Sequence, residues 1–202
     1  MTAKRKAIFL DKDGTLIPDI PYNVNPDLIT LQPGVTEGLK LLKQEGYIFA
    51  VISNQAGVAR GYFKYQDLDK VSQKLNFLLN PEGIQIEAYY FCPHHPLGKI
   101  AEYSIRCDCR KPEPGMILKA AKDLQIDTEK SWMIGDILND VEAGNRAGCR
   151  TILLDRGNET EWIEGSFRKP TFVAADFLQA ARFISNNLND TRQLNDKKLE
   201  AR

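Results

Sequence analysis

The sequence KAIFLDKDGTLIPD, residues 6–19, decides the fold. Its apolar run ends in two aspartates, Asp11 and Asp13, and Gly14 and Thr15 follow directly. A short apolar run that stops at turn-forming residues is typical of a buried strand. Two acids at one strand end repel each other unless a positive charge joins them. The stretch therefore predicts a strand that brings carboxylates to a cation.

Segments with strand character and segments with helix character alternate along the rest of the chain. We predict strands over residues 6–11, 47–54, 84–91, 131–136 and 150–155. We predict helices over residues 33–46, 65–80, 113–126 and 139–148, and a short edge strand or turn followed by a helix over 172–185. Alternation of this kind, with strands that are apolar along their length, is typical of parallel sheets covered by helices on both faces. The expected fold class is α/β, with a doubly wound, Rossmann-like and mostly parallel sheet.

Length and composition indicate one globular domain. The chain has 202 residues, of which 43% are hydrophobic, and this is too short for two well-buried domains. Residues 186–202 carry few apolar side chains and no periodicity. We therefore assign residues 1–185 to a single domain and residues 186–202 to a disordered tail.

Charge and hydropathy exclude several classes of protein. Lys and Arg together number 27, as do Asp and Glu, and a net charge of zero argues against a nucleic-acid binder that relies on phosphate contacts. No apolar run approaches the roughly 18 residues of a membrane span, and the first residues lack the apolar core of a signal peptide. We expect a cytoplasmic, monomeric protein that binds neither nucleic acid nor membrane.

Polar side chains follow several of the predicted strands. Ser53 and Asn54 end the second strand, Asp136 follows a later one with Asp140 one turn beyond, and Lys111 follows a cysteine-rich loop. Ligands of open α/β sheets bind beyond the carboxyl ends of the strands. Each residue alone could be a turn former or a helix cap, but paired acids at one edge require a cation. Hard oxygen ligands in a small polar site suit Mg²⁺.

The loop from residue 92 to 109 contains three of the four cysteines and both histidines of the chain. Cys92 and His94 form a Cys-x-His pair, and Cys107 and Cys109 form a Cys-x-Cys pair. Two close pairs of such ligands fit a closed, structural Zn²⁺ site. The alternative is three free thiols and a surface histidine. His94 fits better than His95 because its spacing mirrors that of the second pair.

Four motifs carry a resemblance to a known superfamily. They are DKDGT at 11–15, SN at 53–54, RKP at 110–112 and GDILND at 135–140. In this order they resemble the motifs of the haloacid dehalogenase superfamily. The resemblance implies a phosphatase in which Asp11 forms an aspartyl phosphate, while Asp13 acts first as general acid and then as general base.

The same resemblance implies the remaining parts of the site. Mg²⁺ is expected to be held by Asp11, Asp136 and the backbone carbonyl of Asp13. Ser53 and Lys111 are expected to contact the transferring phosphoryl oxygens, and together with Asp11 and Asp13 they complete the catalytic set. A kinase is disfavoured because the chain has no G-x-x-x-x-G-K-[ST] loop.

The lengths between the motifs leave no room for the cap domain that most of the superfamily inserts. The zinc-loop pattern and the sequences NQAGVARG and CRKP resemble a capless family of heptose-bisphosphate and histidinol-phosphate phosphatases. The resemblance implies removal of the 7-phosphate of a heptose 1,7-bisphosphate used for lipopolysaccharide, with histidinol phosphate as an alternative substrate. A non-catalytic, zinc-stabilised binding module is the alternative from another class, and the complete set of motif residues argues against it.

The family likeness also predicts contacts to a small phosphorylated sugar. The expected contact residues are Asp19, Ile20, Pro21, Tyr22, Ser53, Asn54, Gln55, Ala56, Arg110 and Lys111. The guanidinium of Arg110 suits a distal phosphate. Arg60 is a second candidate for that role, with an ordinary surface salt bridge as the alternative. Ile137 departs from the family pattern, in which we expect a lysine.

Overall fold

The computed structural model describes residues 4–187. The strands are β1 (Ala7–Leu10), β2 (Ile48–Asn54), β3 (Ile86–Cys92), β4 (Trp132–Gly135), β5 (Arg150–Leu154) and β6 (Phe172–Ala174). The helices are α1 (Val35–Gln44), α2 (Gly57–Arg60), α3 (Asp67–Leu79), α4 (Gly115–Asp123), α5 (Leu138–Arg146) and α6 (177–187). Short 3₁₀ turns cover Pro26–Leu28, Asn80–Glu82, Ala101–Tyr103 and Thr128–Lys130.

The strands form one parallel sheet in the order β3-β2-β1-β4-β5-β6. β1 pairs with β2 on one side and with β4 on the other, and both pairings are parallel. The chain runs outward from β1 to β3 on one side, and then crosses back to β4 and runs outward to β6 on the other side. The direction in which successive strands are added therefore reverses between β1 and β4. A crevice opens beyond the carboxyl ends of the strands at such a switch point. The predicted doubly wound α/β fold is confirmed.

Successive side chains of β1 enter two different cores. Ile8 and Leu10 join a core formed with α1, α3 and α6, whereas Ala7 and Phe9 join a core formed with α4 and α5. Burial of each large apolar side chain stabilises the fold by about 1.5–3 kcal/mol. Because both faces of the strand are buried, its sequence is apolar throughout instead of alternating. This double burial fixes the position of β1, and therefore of Asp11, which follows it directly.

The predicted elements agree with the structure to within a few residues at each end. The segment predicted as 113–126 gives the shorter helix α4, because the chain turns after residue 124 and Gln125 takes a positive φ of 54°. Residues 172–185 were predicted to form either a short edge strand or a turn, followed by a helix. The structure shows the edge strand β6, followed by α6. Helix α2 was not predicted, since four residues carry no helical periodicity.

Two further predictions concern the C-terminal boundary of the domain and the absence of a cap domain. Helix α6 includes residues 186 and 187, which the sequence prediction assigned to the tail, and the rest of that tail, 188–202, lies outside the described residues. Within residues 4–187, no separate cap domain interrupts the order of strands and helices, as predicted. No helix in this part of the chain is long and apolar enough to cross a bilayer.

Candidate active site

A buried lysine lies among three carboxylates at the carboxyl ends of β1 and β4. The Lys111 Nζ atom is 2.5 Å from Asp11 Oδ1 and 2.6 Å from Asp140 Oδ1. It also donates a hydrogen bond of 2.8 Å to the carbonyl oxygen of Ile52. One oxygen each of Asp11, Asp136 and Asp140 lies within 4.8 Å of the others. The structure thus brings together acids and a lysine from three separate motifs.

The acids of the cluster outnumber its positive charges. Three carboxylates face the one ammonium of Lys111, and no other lysine or arginine pairs with them within residues 4–187. Burial raises the pKa of Asp11 well above its usual range, and the neighbouring acids raise it further against the opposing effect of Lys111. Burial, then Asp140, raises the pKa of Asp136 to about 7. Burial alone would lower the pKa of Lys111, but Asp11 and Asp140 raise it above its usual value.

These pKa shifts of the acids have two causes. Burial is the larger one for Asp11 and Asp136, and the charge balance adds to it, because three ionised acids and one ammonium leave an excess of two negative charges. A bound divalent cation would remove that excess. Oxygen ligands are the donors that Mg²⁺ prefers, so the residues present fit this ion.

Gly14 allows the acids to approach each other. Its φ of +77° lies in the left-handed region, which favours glycine. A Cβ atom at this position would overlap the carboxylate of Asp136 and lie 2.6 Å from Asn158 Nδ2. A side chain here would therefore separate the loop after β1 from the loop after β4.

Asp13 lies apart from the cluster and is held by two donors. Its Oδ1 atom is 2.5 Å from Lys12 Nζ, and its Oδ2 atom accepts a 3.1 Å hydrogen bond from Gln55 Nε2. The same amide donates to Ser53 Oγ at 2.9 Å. Lys12 is only 1% exposed, and sequence analysis missed it because lysine is so rarely buried.

A cavity of about 300 Å³ opens beside Asp13. Of the predicted substrate contacts, the residues that line it are Asp19, Pro21, Tyr22, Asn54, Gln55 and Ala56. Ile20 does not line this cavity and is 36% exposed. Burial raises the pKa of Asp19, and the nearby charge of Asp13 adds to the effect. The acid expected to protonate the leaving group thus faces the space where a sugar could lie.

The side chain of Asn54 contacts the backbone of the motif lysine. Its Oδ1 atom accepts a hydrogen bond from the Lys111 N–H, and its Nδ2 atom donates to the Lys111 carbonyl, each at 3.0 Å. Both ends of the amide are therefore used within the protein. This residue holds Lys111 at the end of β2.

Two arginines lie near the site without a carboxylate partner. Among the described residues, neither Arg60 nor Arg110 forms an ion pair, and Arg60 Nε has no hydrogen-bond partner, so no described carboxylate supplies the surface salt bridge considered for Arg60. The Arg60 guanidinium lies 5.9 Å from the ring centre of Tyr22, which in turn contacts Tyr62 edge to face. Arg110 donates a 3.3 Å hydrogen bond to the carbonyl of His94. Burial, with a contribution from nearby Arg60, lowers the pKa of Arg110.

The predicted zinc ligands converge. One ligand atom each of Cys92, His94, Cys107 and Cys109 lies within 4.8 Å of the others. The three Sγ–Sγ distances are 3.1, 3.2 and 3.6 Å, and His94 Nδ1 lies 3.3 and 3.8 Å from two of the sulfurs. Sulfur atoms around a tetrahedral zinc ion are about 3.7 Å apart, given Zn–S bonds of about 2.3 Å. The donor set therefore fits Zn²⁺.

His95 and Cys149 lie outside the cluster of predicted zinc ligands. His95 Nδ1 accepts a hydrogen bond from the Leu97 N–H at 3.1 Å and is outside the sulfur cluster. Burial raises the pKa of Cys149 to about 12, and its side chain packs in the core beside α4 and α5. This placement agrees with a structural thiol.

Asn158 is a polar contact that sequence analysis did not identify. It follows Gly157 beyond the end of β5, and its Nδ2 atom donates a 2.6 Å hydrogen bond to Asp136 Oδ2. This bond opposes the rise in the pKa of Asp136 that burial causes. The same rule that singled out polar residues at strand ends applies to Asn158, since β5 neighbours β4 in the sheet.

Ile137, the departure noted in the motif after β4, acts through its backbone. It is the N-cap residue of α5, and its N–H donates to Asp140 Oδ2 at 3.3 Å. The first turn of α5 therefore holds Asp140 beside Lys111, whatever side chain stands at position 137.

A doubly wound sheet with an acid–lysine cluster at its switch point is the class of site expected of a hydrolase of the haloacid dehalogenase type. Residues 108–180 match the model of the HAD-hydrolase-like family. The chain is 41% identical over 182 residues to a D-glycero-beta-D-manno-heptose-1,7-bisphosphate 7-phosphatase of Haemophilus ducreyi, covering 90% of this chain and 99% of that one. It is 36% identical over 187 residues to the enzyme of the same name from Escherichia coli, with 93% and 92% covered.

The solved structures agree with the sequence relatives. The D,D-heptose 1,7-bisphosphate phosphatase of B. bronchiseptica, crystallised with magnesium and phosphate, superposes with a TM-score of 0.77 at 30% identity, covering 90% of this chain and 99% of that one. The chain therefore belongs to the HAD-like heptose-bisphosphate phosphatase family. The predicted superfamily and the prediction of a phosphatase are confirmed, and the alternative of a non-catalytic module loses its support.

Proposed function

We propose that this chain removes the 7-phosphate of D-glycero-D-manno-heptose 1,7-bisphosphate and leaves the 1-phosphate in place. The relatives at 36–41% identity carry the name of that activity. The observation that carries the proposal is the buried cluster of Asp11, Asp136, Asp140 and Lys111 next to a cavity that Asp13 lines. The product would serve heptose supply for lipopolysaccharide in the cytoplasm, and we propose that the enzyme acts as a monomer.

The mechanism begins with Asp11. Its carboxylate attacks phosphorus, so that an oxygen–phosphorus bond forms while the bond to the sugar oxygen breaks. Lys111 and Ser53 contact the phosphoryl oxygens and stabilise their charge. The 2.5 Å distance between Lys111 Nζ and Asp11 Oδ1 supports this role for the lysine.

Asp13 transfers the protons. It protonates the departing sugar oxygen, and then removes a proton from the water that attacks the aspartyl phosphate. Inorganic phosphate leaves and Asp11 is regenerated. The contacts of Asp13 with Lys12 and Gln55 hold its carboxylate at the boundary between cluster and cavity.

Two metal ions complete the proposal. Mg²⁺ would be held by the carboxylates of Asp11 and Asp136 and by the backbone carbonyl of Asp13, and when bound it offsets charge on the phosphoryl oxygens. Asp140 would remain with Lys111, to which it is paired at 2.6 Å. Zn²⁺ at the cysteine cluster would be structural, because four protein ligands close its coordination.

Arg60 and Arg110 favour a substrate with two phosphates. Both lie near the site, and neither has a carboxylate partner in the described part of the chain. A guanidinium binds a phosphate through two parallel hydrogen bonds. Histidinol phosphate has no second phosphate to use them, so we rank it below the heptose bisphosphate.

Phosphate release tests the proposal directly. The wild-type protein should act on heptose 1,7-bisphosphate faster than on histidinol phosphate or simple sugar monophosphates, and only with Mg²⁺ present. Asp11→Asn should abolish release while the circular dichroism spectrum stays unchanged, because the variant lacks the nucleophile. Preference for histidinol phosphate would overturn the substrate, and full activity of Asp11→Asn would overturn the mechanism.

A further inference from the structure

The segment 155–171, which we call the β5–β6 strap, lies along helix α5. At the start of the helix, Glu159 Oε2 accepts a 2.6 Å hydrogen bond from the Leu138 N–H. Further along, Asn145 Nδ2 donates to the carbonyl oxygens of Phe167 and Lys169 at 2.7 and 3.0 Å. The strap is therefore attached near both ends of α5.

The charge of Glu159 strengthens the first attachment. Burial alone would raise the pKa of Glu159, but hydrogen bonds from backbone amides, that of Leu138 first, lower it below its usual range. A carboxylate at the N-terminus of a helix is also favoured by the helix dipole. This attachment fixes the position of the residue before it, Asn158.

Asn158 reaches one oxygen of a predicted metal ligand. Its Nδ2 atom is 2.6 Å from Asp136 Oδ2, while Asp136 itself is only 5% exposed. A hydrogen bond to one carboxylate oxygen fixes the rotation of the carboxyl group and leaves the other oxygen available. The amide is neutral, so it can orient Asp136 without competing for it as a lysine would.

We propose that Asn158 is a positioning residue that holds Asp136 in the orientation needed to bind a divalent cation. The inference rests on the magnesium site of the proposed function. Groups that orient metal ligands through hydrogen bonds commonly change metal affinity by about 10- to 100-fold. Asn158 acts from a different strand end than the motif acids, and the strap brings it to them.

Mg²⁺ binding to the substrate-free protein tests the inference. Isothermal titration with Mg²⁺ should show Asn158→Ala binding about 10- to 100-fold more weakly than wild type. Thr160→Ala is the matched control, because Thr160 is an exposed residue of the same strap, and it should bind as wild type does. Saturating Mg²⁺ should restore the kcat of Asn158→Ala, since the residue acts only through the ion.

The possible results are distinguishable. If wild type binds Mg²⁺ and Asn158→Ala binds it equally well, the role of Asn158 is overturned while the magnesium site stands. If Asn158→Ala and Thr160→Ala weaken binding alike, the effect belongs to the strap as a whole and the inference is again overturned. If wild type binds no Mg²⁺, the proposed site fails and the inference fails with it. Equal melting temperatures without metal would confirm that the variants are folded.

Discussion

At the scale of single residues, Lys111 determines whether the buried acids can lie together. Its ammonium group is the shared partner of Asp11 and Asp140, and its side chain is 2% exposed. Two motifs separated by a hundred residues meet at this atom. Asn54 fixes the backbone of the same residue. Loss of the Lys111 side chain should therefore affect both the stability of the fold and the proposed catalysis.

We expect Lys111→Met to lower the free energy of unfolding of the metal-free protein by about 3–5 kcal/mol. Removing one partner of a buried ion pair leaves the other charge buried without compensation. Urea unfolding in the presence of EDTA measures the effect.

Lys119→Met is the control for this experiment. Lys119 pairs with Asp123 at 2.7 Å, but its side chain is 65% exposed, so solvent screens this pair and its loss should change the stability little. Similar losses in the two variants would show that the Lys111 cluster contributes no more than a surface pair.

At the scale of elements, the loop over residues 92–109, which we call the zinc loop after the ion proposed for it, holds the site from the side of β3. Cys92 ends β3, and Cys109 precedes Arg110 and Lys111 directly. The loop also contacts α2, where the N–H groups of Lys99 and Ile100 donate to the carbonyl of Ala59 at 2.7 and 2.9 Å. A closed metal site here would restrict the segment that carries both cationic side chains.

We predict that Cys109→Ser loses bound zinc, stability and activity together. Loss of a ligand that binds only the folded state costs about 3–4 kcal/mol when zinc exceeds its Kd by a hundred- to a thousandfold. Phosphate release should fall by up to about 100-fold, because Lys111 loses its fixed position. Metal analysis, thermal unfolding and phosphate release measure the three effects.

Cys149→Ala serves as the control for the cysteine variant. Cys149 lies in the core outside the ligand cluster, so this variant should keep one zinc per chain and near-normal activity. A Cys109→Ser protein that retained full activity after losing zinc would separate the loop from catalysis.

At the scale of the whole molecule, the sheet and its switch point were predictable from sequence because their signals are local. A run such as Ile8 to Leu10 is apolar over its whole length, since both faces of β1 are buried. The order of the motifs then placed their polar residues at one edge. The meeting of Asp11 and Asp136 could be expected from the strand ends, whereas the place of Lys111 in the cluster was expected from the motif resemblance.

The remaining features depend on tertiary contacts that no short pattern records. Lys12 is buried against Asp13, although a lysine between two acids gives no sign of burial. Asn158 reaches Asp136 only because the β5–β6 strap lies along α5. Helix α2 is a single turn, and its form follows from the loops around it rather than from periodicity.

The final prediction concerns how the molecule as a whole selects a substrate with two phosphates. The capless fold leaves the mouth of the site to short segments, which supply Arg60 at the end of α2 and Arg110 directly after the zinc loop. We expect Arg110→Met to lower kcat/KM for the heptose bisphosphate by about 10- to 100-fold, since hydrogen bonds to charged groups contribute roughly 1.5–3 kcal/mol. Arg60→Met should act in the same direction. The loss should fall mainly on KM, because the distal phosphate takes no part in the reaction at the other end of the sugar.

Sugar monophosphates provide the internal comparison for the arginine variants. They lack the second phosphate, so their kcat/KM should be nearly the same in wild type and in both variants. Arg146→Met, which removes an exposed arginine paired with Glu142 on α5, should leave both substrates unaffected. Equal losses on mono- and bisphosphates would instead place Arg110 at the transferring phosphoryl group. Selectivity would then have to arise from the cavity beside Asp13 rather than from the guanidinium groups of Arg60 and Arg110.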